Sequence, residues 1–281
     1  MATPVEQTLA DFPKIHLLLV VVAIGVAYAT VIPGMIDDWS NDPNYSHGFL
    51  VPLISGYFLW QSWPELKQAT LKPCNAGLAV IVGSLSLLIL GYVGVEYFTM
   101  RASLVFLLAG IILFWCGWRV LKITALPVAF LLFMVPLPYI VYDAMAFPLK
   151  LFVTKYSVLS LKAMGFTVVQ EGNILMFPQT VLEVADACSG LRSLVSLLAL
   201  AVAMAFLTLT NPVKRAVLIV SALPIAIATN MFRVITTGVL AHYYGRAAAE
   251  GFFHEFAGMA VFALAMVLLI AVSTLLKRIG R

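Results

Sequence analysis

Long apolar runs separated by short polar stretches set the pattern of this chain. Eight of them approach the roughly 20 apolar residues a helix needs to cross a bilayer: about 15–34, 48–63, 77–96, 102–117, 123–141, 188–209, 214–241 and 255–276. Each predicts a membrane span. The first ends Val31-Ile32-Pro33-Gly34 with no small-x-small cleavage site, so it reads as a retained span and not as a cleaved signal. The runs connect tightly, without Gly/Ser linkers, repeats or low-complexity tracts, and 1–281 reads as a single domain.

Two stretches break the pattern. Asp37 to Gly48 is polar and rich in turn formers. The segment 142–187 reads as an extracytoplasmic insertion in two halves. Residues 144–164 are apolar but carry Pro148, Lys150, Lys155 and Lys162, which predicts an interfacial helix with snorkelling lysines. A ninth span is the alternative for this half. The second half reads as short strands: Phe166–Gln170 and Ile174–Phe177 joined by Glu171-Gly172-Asn173, followed by Val181–Val184. A small hairpin then leads directly to Cys188.

Composition makes the membrane reading firm. Of 281 residues, 62% are hydrophobic and 11% charged, with mean hydropathy +1.02; soluble domains carry about 25% charged residues. The lipid bilayer is therefore the first expected partner. The net charge of +4 follows topology and does not point to nucleic acid. On the eight-span reading Lys14, Lys67, Lys72, Arg119, Lys122, Lys214, Arg215, Lys277, Arg278 and Arg281 share one side. Arg101, Lys150, Lys155, Lys162 and Arg246 face the other, with ten of the thirteen acids. The positive-inside bias puts both termini in the cytoplasm.

That topology isolates Cys188 as an extracytoplasmic thiol at a helix start, since Cys74 and Cys116 fall on the cytoplasmic side. Arg233 lies inside the seventh run and His254 opens the eighth, so span counting brings all three to the outer part of the membrane on consecutive helices. A thiol reacts as its thiolate, favoured at a helix N-terminus or beside a cation. Arg192, four residues after Cys188, shares its helical face. An imidazole can carry protons for a thiol and a leaving amine, and a guanidinium can stabilise an oxyanion or orient a carboxylate. His242 and His47 compete with His254 for the proton-transfer role. His254-Glu255 lacks the second His of HExxH and no CxxC pair occurs, so no metal or cofactor is expected. Burial of the thiol as a small hydrophobe, and pairing of Arg233 with a substrate as in a transporter, are the competing readings.

The runs Cys188-Ser189-Gly190-Leu191, Asn230-Met231-Phe232-Arg233-Val234 and His254-Glu255-Phe256-Ala257-Gly258 resemble, in this order, the Cys…Arg…His signature of exosortases and archaeosortases. Asn44-Tyr45-Ser46-His47-Gly48-Phe49-Leu50 resembles the family's early motif, and Glu171-Gly172-Asn173 its pre-cysteine region. The resemblance covers about 15–276. It implies a protein-sorting cysteine protease and transpeptidase of a bacterial inner membrane, with its site near the periplasmic face. The implied partners are exported precursors whose C-terminal tail combines a Pro-Glu-Pro-type motif, a transmembrane helix and a basic cluster. By resemblance Cys188 is the nucleophile, His254 transfers protons and Arg233 assists the oxyanion or substrate. Tyr45, His47 and Asn230 become candidate substrate contacts, as does Arg192, which can instead balance Asp186 or Glu183. The functional alternatives are a membrane transporter and a non-catalytic assembly factor of an exopolysaccharide export system.

Overall fold

A computed structural model describes residues 14–178, 180–184, 191–245 and 252–279. Within the single domain expected, the chain forms two compact units, Met1–Pro138 and Tyr139–Arg281.

The first unit starts with α1 (Lys14–Ala27) and α2 (Val31–Asn41), set at 66° to each other. Pro33 explains the bend: it has no N–H for the Ala29 carbonyl one turn back. Helices α3 (Leu50–Gln61), α4 (Trp63–Lys67), α5 (Ala76–Val93), α6 (Tyr97–Cys116) and α7 (Trp118–Phe130) follow. α5 and α6 pack as an antiparallel pair because glycines remove side chains from the seam. Gly77 faces the Phe114 backbone and Gly110 lies so that a Cβ would stand 3.0 Å from the Ile81 nitrogen. The turn between them is capped by Glu96, whose carboxylate accepts from the Phe98 and Thr99 amides at 3.0 and 2.7 Å. Arg101 of α6 is 9% exposed and pairs with Asp38 of α2 at 2.6 Å.

The expected span 123–141 is not one helix. α7 ends at Phe130, a 3-10 turn covers Leu131–Met134, and the chain is non-helical up to Pro138. Pro136 and Pro138 supply no N–H and push the residues before them out of the helical region. Among the described residues five helices are long and apolar enough to cross a membrane, or six with the bent α1–α2 pair counted as one, against the eight runs expected. The run 48–63 forms a shorter helix, α3, of 12 residues that stops just before Pro64, and α9 covers 18 residues of the run 188–209, whose first three lie outside the described residues.

The second unit comprises α8 (Tyr139–Ala163), strands β1 (Val169–Glu171), β2 (Ile174–Met176) and β3 (Val181–Glu183), then α9 (Leu191–Thr208), α10 (Pro212–Tyr244) and α11 (Phe252–Arg278). The strands form an antiparallel meander in which Glu171 pairs with Ile174. Gly172 takes φ +59 at the first turn position, where a side chain would be strained. The sheet packs Val168, Leu175, Phe177 and Val184 against Val153, Val158 and Leu161 of α8 and Val234 of α10. α8 lies lengthwise along α10 and in the same direction. Pro148 and Phe152 share a groove with Leu223 and Ile227, and Leu161 comes within 3.2 Å of where a Gly238 Cβ would be. α8 is also long and apolar enough to cross a membrane. Of the two sequence readings of 144–164, lengthwise packing favours a span over the interfacial helix, while the run 123–141 before it is broken.

Candidate active site

Helices α9, α10 and α11 pack on one another through small residues. Ala201 and Ala205 of α9, Ala222 and Ala226 of α10, and Ala265 of α11 share a core with Leu197, Leu218 and Leu269. Such residues let helices approach closely where hydrocarbon gives no hydrophobic drive between them. Asn211 starts α10: its side chain accepts from the Val213 and Lys214 amides at 2.8 and 3.3 Å, with Pro212 next. The Lys214 ammonium donates to the Ile279 carbonyl, which places the first turn of α10 beside the end of α11.

Nineteen residues further along α10 stands Arg233, 9% exposed. Its guanidinium lies against Gly258 of α11, twenty-one residues back from Ile279, so the two antiparallel helices stay in step over this distance. A Cβ built on Gly258 would stand 3.4 Å from Nη2, 3.6 Å from Cζ and 3.7 Å from Nη1. Gly258 is one turn beyond His254, so the two share a face of α11. Asn230 is 4% exposed and lies three residues before Arg233 on the same side of α10.

α9 turns back into α10 through only Leu209–Asn211. Equal rise in the two antiparallel helices brings Leu191 level with about residue 229 of α10, next to Asn230. Cys188 lies outside the described residues. For Arg192, in the first turn of α9, and His254, in the first turn of α11, the description covers the backbone and not the side chain.

His242 and His47 each make contacts of their own. His242 follows Arg233 by nine residues, which at 100° each puts it on the opposite side of α10. There its ring meets Phe166 at 5.0 Å, Tyr243 at 5.2 Å and Phe177 at 6.1 Å, against the sheet. His47 belongs to the first unit, where three side chains serve the broken segment after α7. The Trp39 indole donates to Met134 O at 2.9 Å, the Tyr45 hydroxyl to Leu137 O at 3.2 Å, and His47 Nε2 to Phe133 O at 3.2 Å. Burial holds the His47 imidazole below its usual range, against the Phe133 and Asn44 carbonyls, which favour its charged form. Tyr45 and His47 thus stabilise a proline-broken helix, whatever else they touch.

Two residues escaped the sequence reading. Gly258 seats the arginine, and Asn173 holds the exit of the sheet. The Asn173 side-chain amide donates to the Val184 carbonyl at 3.1 Å and to Glu183 Oε1 at 3.4 Å, while its own carbonyl accepts from the Val184 amide at 2.9 Å. Val184 is 2% exposed and is the last described residue before the segment that carries Cys188. Both residues fall in stretches whose resemblance to a family was already noted, but only the packing assigns them these contacts.

The fold is that of an all-α polytopic membrane protein, with an arginine buried between two of its longest apolar helices. Residues 39–271 match the model of the transmembrane exosortase family, Exosortase_EpsH, and the chain belongs to that family. No curated protein and no solved structure matches it.

Proposed function

We propose that the chain is a cysteine transpeptidase or protease that removes C-terminal sorting tails from exported precursors. The observation that carries this reading is the contact between the Arg233 guanidinium and Gly258, one turn from His254 on the same face of α11. It joins two of the three signature positions on neighbouring helices. The third, Cys188, is three residues of chain from Leu191, a covalent reach of at most about 11 Å.

In the proposed reaction the Cys188 thiolate attacks a backbone carbonyl near the Pro-Glu-Pro-type motif. The carbonyl oxygen becomes an oxyanion, which Arg233 stabilises. Collapse expels the amine of the transmembrane tail, which takes its proton from the His254 imidazolium, and leaves an acyl thioester on Cys188. An acceptor amine, or water, then gives a proton back to His254, attacks the thioester and expels the Cys188 thiolate, which restores the starting pair. The enzyme sits in a bacterial inner membrane with both termini cytoplasmic and the site near the periplasmic face. A precursor tail with a cytoplasmic basic cluster has the same orientation bias and presents its motif at that face.

The test is to co-express a tagged precursor bearing such a tail with wild type, Cys188→Ala, Arg233→Ala and His254→Ala, and to follow the tail by gel. Wild type releases it, and each variant loses at least about 100-fold in rate, as expected for groups that act on the reacting atoms. Equal processing by all four rejects the reading.

A further inference from the structure

Glycine is the poorest helix former after proline, and Gly258 stands seven residues into a 27-residue helix. Close helix packing accounts for other glycines in this chain. At Gly77 and Gly110 an added Cβ would meet backbone atoms of the neighbouring helix. Gly258 differs: the three nearest atoms are Nη2, Cζ and Nη1 of Arg233. The vacancy beside the α11 backbone is filled by a guanidinium and not by a helix.

We propose that Gly258 is a positioning residue whose missing side chain lets the Arg233 guanidinium lie against α11, one turn from His254. The inference rests on the proposed function only for its kinetic readout. A Cβ at 3.4–3.7 Å from the guanidinium is in ordinary contact with it. A γ-carbon, about 1.5 Å further out, overlaps it and displaces it. Displacement by about 1 Å at a reacting centre costs on the order of 100-fold in rate.

The test uses the full chain in membranes, with the tagged precursor as substrate and phenylglyoxal as an arginine probe read by peptide mass spectrometry. The cleavage rate falls with side-chain size at position 258, modestly for Gly258→Ala and about 100-fold for Gly258→Val. In an Arg233→Ala background Gly258→Val adds no further loss, because the arginine it acts through is gone. Arg233 in the Gly258→Val protein reacts faster with phenylglyoxal than in wild type, while thermal stability in detergent does not drop. A loss from Gly258→Val that is just as large without Arg233, or unchanged labelling of Arg233, overturns the proposal. If wild type does not cleave the precursor, the functional reading falls and the labelling still decides: faster modification upholds the seat, equal modification removes it.

Discussion

Arg192 stands in the first turn of α9, four residues after Cys188 in the sequence. If it pairs with the glutamate of the precursor's motif, Arg192→Glu weakens processing of a Glu motif by about tenfold more than of a Gln variant, about 1.4 kcal/mol, near the low end for a hydrogen bond to a charged group. Equal losses on the two substrates would mean that Arg192 only balances Asp186 or Glu183. The same scale shows what was legible in the chain itself. Arg233 and His254 stood out as candidates, because charged or titratable groups in apolar runs are expensive and therefore noticeable. The choice among histidines was not legible. His242 and His254 both sit near the outer ends of helices, and only the contacts reveal that His242 faces the sheet while Gly258, on the face of His254, meets Arg233. Gly258 itself gives no sign in the sequence, since its role depends on the register of α10 against α11.

At the scale of elements, prolines decide where the apolar runs stop being helices. Hydropathy sees 123–141 as one run because Pro136 and Pro138 are flanked by apolar residues, whereas the missing N–H groups end the helix within it. Carbonyls freed there need other donors, and Trp39, Tyr45 and His47 supply them. That arrangement makes stability pH-dependent with a definite sign. The His47 imidazole is held below the usual range by burial, while in the unfolded chain it titrates near about 6.5. Above that value both states are neutral and nothing is lost. As pH falls from there toward the lowered folded value, the unfolded state binds a proton that the folded state refuses. Stability therefore declines, by at most about 1.4 kcal/mol per pH unit. Detergent-solubilised wild type should lose thermal stability between about pH 7 and pH 5, and His47→Gln, less stable at neutral pH, should lose less over the same interval. Parallel curves for the two proteins would exclude His47 as the titrating group. The hairpin after α8 was the best-read element, because period-2 patterning and the Gly172-Asn173 turn are local signals. α8 was the worst, because three lysines in an apolar helix fit either an interfacial or a spanning placement.

For the whole molecule, the orientation of α8 is the point on which topology turns. A helix lying on the membrane surface would cross the ends of its spanning neighbours. α8 instead runs alongside α10 in the same direction, with Ala144–Phe152 near Leu223 and Ile227, and Leu161 near Gly238. α10 begins at Lys214, which is bonded to the end of α11 close to Lys277 and Arg278. On the positive-inside bias, this cluster of four cations, Lys214, Arg215, Lys277 and Arg278, is expected at the cytoplasmic end of the bundle. The first turn of α8 should then lie toward the cytoplasm, and the sheet that follows α8 toward the outside. Asp143 and Gly172 are exposed and report the two ends. In a background with Cys74, Cys116 and Cys188 replaced by alanine, a cysteine at position 172 should react with a membrane-impermeant maleimide in spheroplasts. One at position 143 should react only after permeabilisation, as should one at 211 in the α9–α10 turn. Labelling at 143 from outside would restore the interfacial helix. Because α9, α10 and α11 are successive helices of one unit, either outcome leaves Arg233 and Gly258 together and alters only how the chain reaches them.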